Sequence, residues 1–102
     1  MSKFQHVNVN QLVQLSATHP DLQIADIRDA ASFESAHITG SVNLNNDNIA
    51  SFITDADMDK PVILVCYHGI SSQGAAQYLV DQGFDDVYSL DGGYQAWRES
   101  EA

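Results

Sequence analysis

The fold of this chain is decided by residues 61–74, which read PVILVCYHGISSQG. An apolar run from Pro61 to Val65 ends at Cys66 and passes through a turn at Gly69 into a stretch that begins with two serines. Such a run predicts a buried strand, and the small polar residues after it predict the start of a helix. The thiol is therefore expected at the carboxyl end of a strand, which is where open α/β sheets bind ligands.

Cys66 is the only cysteine of the chain, and we interpret it as a nucleophile exposed at a helix start. Backbone N–H groups in the first turn of a helix have no intrahelical partner and attract anions. Each hydrogen bond to a charged acceptor contributes about 1.5–3 kcal/mol, so about two or three amides lower a thiol pKa appreciably. That matters because residues 67–72 contain no Arg or Lys. The alternative, a thiol packed as a small apolar strand residue, stays open.

Composition narrows the class of protein and of ligand. At 102 residues with 44% hydrophobic content, the chain is expected to form one domain over residues 1–102. Fourteen acidic and four basic residues give a net charge of −10, which opposes binding to nucleic acid and to anionic membranes. With no apolar leader and no membrane-length apolar run, a cytoplasmic location is expected, where a lone thiol stays reduced.

Short apolar segments alternate with amphipathic ones along the whole chain. The expected strands are residues 4–7, 22–26, 62–65 and 87–90, with a turn and brief strand within 38–43. The expected helices begin after an Asn8 cap and then cover residues 31–35, 47–54, 73–81 and 94–99. This alternation predicts an α/β fold with a mainly parallel central sheet and helices on both faces.

Individual residues also carry local predictions. Val13 and Tyr78 are placed on the inward faces of their helices by the spacing of apolar residues. Ser71 or Ser72 is expected to cap the helix over residues 73–81, and Gly83 to end it in the left-handed conformation.

Three separated segments resemble the rhodanese homology domain. Residues 26–41, DIRDAASFESAHITGS, are similar to the family's D-x-R and F-x-x-G-H-I-x-G-A pattern, with departures at Ala36 and Ser41. Residues 66–71 form the cysteine loop, and residues 87–97, VYSLDGGYQAW, are similar to the closing L-x-G-G-x-x-x-W segment. The three occur in the family's order and span most of the chain.

The neutral cysteine loop resembles that of the single-domain thiosulfate sulfurtransferases in this family. The resemblance implies that sulfane sulfur passes from thiosulfate through a Cys66 persulfide to a thiophilic acceptor, with release of sulfite and without a cofactor. The implied acceptors are cyanide and dithiol proteins such as thioredoxin. The implied substrate-binding residues are Tyr67, His68, Gly69, Ile70, Ser71 and Ser72.

Asp26 and Arg28 are expected to support the site structurally. Arg28 either orients the cysteine loop by hydrogen bonding or neutralises Asp26, Asp29 or Glu34. His68 tunes the thiolate, contacts the sulfur donor or, as we favour, shapes the turn.

Other residues are expected to lie outside the chemistry. His37 is expected to be a buried, hydrogen-bonded core residue, and Tyr94 and Trp97 to lie on the apolar face of the last helix. The spacing of the histidines relative to Cys66 does not match a structural zinc site, so no metal is expected.

Two rival functions remain. Phosphatases and arsenate reductases of the same fold use a C-x5-R loop whose arginine clamps the oxyanion, but here Ser72 occupies the arginine position. The other rival is a module that relays persulfide sulfur from a donor other than thiosulfate, or that only binds a partner.

Overall fold

Five parallel strands form one sheet at the centre of the computed structural model, which describes residues 3–100. The strands are β1 (Gln5–Val7), β2 (Gln23–Asp26), β3 (Val42–Asn43), β4 (Val62–Val65) and β5 (Val87–Leu90). Their order across the sheet is β1-β5-β4-β2-β3, and every neighbouring pair is parallel. Strand β4 lies in the middle with all four of its residues buried, which explains its uninterrupted apolar sequence.

Helices cover both faces of this sheet. They are α1 (Val9–Thr18), α2 (Ala30–Ser35), α3 (Ile49–Asp55), α4 (Ser71–Asp81) and α5 (Gly93–Ser100). Side chains of α1 and α5 pack on one apolar cluster, and those of α3 and α4 pack on the other. The α/β class and the two-sided cover are confirmed. Within residues 3–100, no helix is both long and apolar enough to cross a membrane.

The helix ends follow from local sequence. The Asn8 side chain accepts a hydrogen bond from the Gln11 amide at 2.8 Å, while the Gln11 side chain accepts one from the Asn8 amide, also at 2.8 Å. At the other end of the fold, Gly83 has a φ of +110° and lets the Phe84 amide donate back to the Leu79 carbonyl at 3.2 Å. Both predicted caps are confirmed.

Two predicted inward residues point outward instead. Val13 is 53% exposed and Tyr78 is 46% exposed, so both predictions are wrong. Successive helical residues are about 100° apart, and the neighbouring Leu12 and Leu79 occupy the buried directions. The spacing of apolar residues predicts a wider buried face on each of these helices than the sheet covers.

His37 is exposed, so its predicted burial is wrong. Its ring stacks on that of Phe33 with centroids 3.9 Å apart, and its Nδ1 lies 2.7 Å from the Phe33 carbonyl oxygen. The imidazole of His37 therefore has a stacking partner and a hydrogen-bond partner at the protein surface, just after α2, and it is not part of the core.

Candidate active site

The loop between β4 and α4 folds back over the Cys66 sulfur. The Gly69 amide donates to Sγ at 3.1 Å and the Ser72 amide donates to it at 3.3 Å. The Ser72 hydroxyl oxygen also lies 3.3 Å from Sγ. Three polar groups of the loop and the first turn of α4 therefore converge on one sulfur atom.

Cys66 is only 4% exposed, so the expectation of an exposed thiol is wrong. The loop covers the sulfur because the same turn that points the Gly69 and Ser72 amides at Sγ also places the loop over it. Burial raises the pKa of the Cys66 thiol, but hydrogen bonds from the Ser72 hydroxyl and from the amides of Ser72, Gly69 and His68 outweigh it. The net result is a lowered pKa.

The predicted serine cap of α4 is also wrong. The helix begins at Ser71, and the residue at its N-cap, Ile70, makes no side-chain capping bond. Ser72 lies inside the first turn and is fully buried, with its hydroxyl bonded to the sulfur and to the Ser89 hydroxyl. Ser72, which the sequence predicts as a possible helix cap, is instead a hydrogen-bond partner of the Cys66 sulfur.

The start of α5 supports the cysteine loop from the side. The Tyr94 amide donates to the Cys66 carbonyl at 2.8 Å, and the Gln95 amide donates to the Tyr67 carbonyl at 3.2 Å. Gly93 has a φ of +61°, and a Cβ atom there would lie 2.5 Å from the Cys66 carbonyl oxygen. Gly93 is thus required by close backbone contact with this loop, whereas a Cβ atom at Gly92 would lie 2.6 Å from the Cβ of Ala96 in α5.

Asp26 and Arg28 form a buried ion pair beside the site. The Arg28 Nη2 lies 2.7 Å from an Asp26 carboxylate oxygen, and the same nitrogen donates to the Ala36 carbonyl at 2.7 Å. The guanidinium also lies over the Tyr94 ring, 4.0 Å from its centroid. Of the alternatives posed by the sequence, the geometry favours neutralisation of Asp26, since the hydrogen bonds of Arg28 do not reach the loop backbone.

The six loop residues implied by the resemblance divide into two groups. Gly69 and Ser72 reach the sulfur, together with the backbone of His68. The Tyr67 side chain points away instead, and its hydroxyl bonds to Asp29 and to Ser32 at the start of α2. The remaining two are exposed at the surface, Ile70 at 76% and Ser71.

A cavity of about 320 Å³ adjoins the cysteine loop. Its walls include Arg28, Tyr67, His68, Tyr94 and Arg98. Trp97 packs on the apolar cluster as expected, and Tyr94 does so too, but Tyr94 and Arg98 also face this cavity. The sequence signal for the pair was their i, i+4 spacing in α5, which places both side chains on one side of the helix.

Neither the His6 nor the His68 imidazole is hydrogen-bonded to the sulfur. The His6 ring lies 2.9 Å from an Asp91 carboxylate oxygen, and the His68 ring is tilted against that of Tyr67. In the described part of the chain, residues 3–100, no three His, Cys, Asp or Glu side chains converge where they could hold a metal ion.

Comparison with known proteins identifies the family. The family model described as "Rhodanese-like domain" matches residues 8–100. The chain belongs to the rhodanese-like family. Its fold agrees with this: the rhodanese-like domain protein of Staphylococcus aureus superposes with a TM-score of 0.80 at 21% identity, over 92% of this chain and 91% of that one.

Curated relatives of this rhodanese-like protein carry a shared name. The "Thiosulfate sulfurtransferase GlpE" of Shewanella oneidensis is 63% identical over the full length of both chains. The proteins of the same name from Pseudoalteromonas translucida and Vibrio cholerae are 54% and 47% identical, over 93% and 98% of this chain and 90% and 93% of theirs. A Rhodopseudomonas palustris protein described as a possible tyrosine phosphatase superposes with a TM-score of 0.81 at 25% identity, over 97% of this chain and 83% of that one.

Proposed function

We propose that this rhodanese-like protein is a thiosulfate sulfurtransferase whose Cys66 carries the transferred sulfur. The observation that carries the proposal is the set of polar groups around Sγ: the amides of Gly69 and Ser72 donate to it at 3.1 and 3.3 Å, and the Ser72 hydroxyl oxygen lies 3.3 Å from it. The hydrogen bonds of these groups lower the pKa of the Cys66 thiol, and residues 67–72 supply no cation. The names of the curated relatives support thiosulfate as the sulfur donor.

In the first half-reaction the Cys66 thiolate attacks the outer sulfur of thiosulfate. A bond forms between Sγ and that sulfur, the sulfur–sulfur bond of thiosulfate breaks, and sulfite leaves with the bonding electron pair. The transferred sulfur stands about 2 Å beyond Sγ, which is the length of a sulfur–sulfur bond. Because Cys66 is buried, a small donor with a terminal sulfur suits the site better than a bulky one.

In the second half-reaction a thiophilic acceptor attacks the outer persulfide sulfur and restores the Cys66 thiolate. Cyanide becomes thiocyanate. A dithiol becomes a disulfide with release of sulfide, so that the two electrons lost by the dithiol are gained by the sulfur. As the physiological acceptor we propose a reduced dithiol protein such as thioredoxin, in the cytoplasm, where a lone thiol is kept reduced.

The structure argues against phosphatase or arsenate reductase chemistry. A C-x5-R loop needs its arginine to hold the oxyanion by two parallel hydrogen bonds. Ser72 occupies that position, six residues after Cys66, and it is fully buried with its hydroxyl on the sulfur.

The persulfide is tested by intact mass. After thiosulfate treatment the wild-type protein should gain the mass of one sulfur atom and lose it on addition of cyanide. Cys66→Ser should gain none, because the chain has no other cysteine. Ser51→Ala, an exposed serine on α3, is the matched control and should behave as the wild type. Sulfur accumulation on Cys66→Ser would refute the assignment of the nucleophile.

Sulfite release separates the enzyme from a relay. With thiosulfate and either cyanide or a reduced dithiol, an enzyme should release sulfite over many turnovers, at a rate that depends on both substrates in the ping-pong pattern. A relay that takes sulfur from another donor would release little or none. Turnover of an aryl phosphate instead would favour the phosphatase.

A further inference from the structure

Strand β5 carries a serine in the interior of the sheet. Ser89 is fully buried and pairs in register with Leu64 of β4. Its hydroxyl oxygen lies 2.7 Å from that of Ser72. A hydroxyl group in such surroundings destabilises the fold unless it is hydrogen-bonded. An apolar residue would therefore suit this position in the sheet, unless the Ser89 hydroxyl has a functional role.

Ser89, Ser72 and Cys66 form a row of three buried polar atoms. The distance is 2.7 Å from Ser89 Oγ to Ser72 Oγ and 3.3 Å from Ser72 Oγ to Cys66 Sγ. Two proton arrangements keep every atom of the row hydrogen-bonded to its neighbour. When the sulfur is a thiol, its proton points to Ser72 and the Ser72 proton points to Ser89. When the sulfur is an anion, Ser89 donates to Ser72 and Ser72 donates to the sulfur.

The two arrangements differ in what becomes of the Ser89 proton. In the anionic arrangement every hydroxyl proton in the row has an acceptor. In the thiol arrangement the Ser89 proton points away from Ser72, and residues 3–100 provide no other hydrogen-bond partner for it. A buried unmade hydrogen bond destabilises the state that contains it. The row therefore favours the anion.

We infer that Ser89 is a positioning residue that turns the Ser72 hydroxyl toward the sulfur and so favours the nucleophilic anion of Cys66. The inference rests on the proposed function, which assigns Cys66 as the nucleophile. Ser89 acts only through Ser72, since the sulfur's partners are the Ser72 hydroxyl and the amides of Ser72, Gly69 and His68. A donor that itself accepts a hydrogen bond becomes a stronger donor, by about 10–30%.

Charged neighbours do not account for the same effect. The titratable or charged side chains that face the site from the loop and from the elements packed around it are Asp26, Arg28, Tyr67, His68, Tyr94 and Arg98. Asp26 and Arg28 neutralise each other. Apart from burial, the groups that shift the Cys66 pKa are the Ser72 hydroxyl and the backbone amides of the loop.

The test is the pH dependence of Cys66 alkylation by iodoacetamide, which reports one thiol because the chain has one cysteine. Ser89→Ala should move the midpoint upward by about half a pH unit, equal to about a three-fold smaller thiolate fraction below the midpoint. Ser41→Ala is the matched control. Its buried hydroxyl donates to the Ile38 carbonyl at 2.6 Å and should leave the midpoint unchanged.

A second pair of variants keeps the side-chain size constant. Ser89→Thr retains the hydroxyl and should keep a midpoint below that of Ser89→Val, which has a methyl group in its place. This pair carries the test if the alanine variant does not fold. In a Ser72→Ala background, which itself raises the midpoint, adding Ser89→Ala should cause no further shift.

An unchanged midpoint in Ser89→Ala, or equal midpoints for the threonine and valine variants, would overturn the inference. So would an undiminished effect of Ser89→Ala in the Ser72→Ala background. Alkylation does not require sulfur transfer, so this outcome is distinct from failure of the proposed function. That failure would appear as absence of a persulfide on the wild-type protein.

Discussion

At the scale of single residues, the buried pair of Asp26 and Arg28 fixes the wall of the site. The two side chains are 1% and 4% exposed and lie 2.7 Å apart. Burying two charges costs desolvation free energy, which their mutual contact offsets only while both are present. The pair also links the end of β2 to Ala36 after helix α2 and to the Tyr94 ring on α5.

Replacing Asp26 by Asn should therefore destabilise the protein by about 3 kcal/mol, because a buried guanidinium loses its counter-charge. The free energy of unfolding in urea measures this. The matched control is Asp21→Asn, since Asp21 pairs with Lys60 at 3.4 Å with both side chains exposed. That change should cost less than about 1 kcal/mol. Equal losses in the two variants would contradict the structural role of the buried pair.

At the scale of elements, the cysteine loop and the turn before α5 interlock through their backbones. Gly69 has a φ of +87°, and a Cβ there would lie 2.7 Å from the Gly92 amide nitrogen. Gly93 faces the loop in the same way, 2.7 Å from the His68 amide nitrogen. Side chains would separate the two segments, and the amides aimed at the sulfur would move with them.

Gly93→Ala is expected to destabilise the protein and to move the Cys66 alkylation midpoint upward. The new Cβ meets backbone atoms and the residue must keep a φ of +61°. Gly74→Ala is the control, because it lies inside α4 with no atom within 4 Å of a built Cβ. It should stabilise the helix by about 0.5–1 kcal/mol and leave the midpoint in place. A midpoint unchanged in Gly93→Ala would show that the turn does not shape the loop.

Much of this arrangement was predictable from local sequence, and the rest depends on tertiary contacts. The apolar run of β4, the Asn8 cap and the left-handed Gly83 are local signals, and the structure confirms them. Ser72 was misassigned because a serine at a helix start has the same local signature whether it caps the helix or binds a sulfur. The Ser89 contact joins residues 17 apart, and no local pattern contains it.

At the scale of the whole molecule, the net negative charge of the protein opposes the approach of its anionic substrate. The net charge of −10 repels a thiosulfate dianion, while the site that receives the dianion lies among neutral donors. Arg98 is one of four basic residues in the chain and faces the cavity beside the loop. Long-range repulsion should therefore limit the encounter with the donor.

Raising the ionic strength from about 0.01 to 0.1 M, which shortens the screening length from about 30 to 10 Å, should increase kcat/KM for thiosulfate. The turnover number should change little, since screening acts on the encounter. Alkylation by neutral iodoacetamide at the same pH is the control and should be insensitive to salt. A fall in kcat/KM with salt would mean that local positive charge, with Arg98 the first candidate, outweighs the overall field.

The sheet order has a consequence for synthesis on the ribosome. Strand β1 pairs with β5, so that Gln5 lies opposite Tyr88, and the loop around Cys66 rests on the amides of Tyr94 and Gln95. A nascent chain in which Cys66 has just been synthesised still lacks both strand β5 and the glycine turn before α5. A product stalled before residue 87 would present its cysteine on an unsupported loop, open to oxidants and without an assembled centre for chemistry.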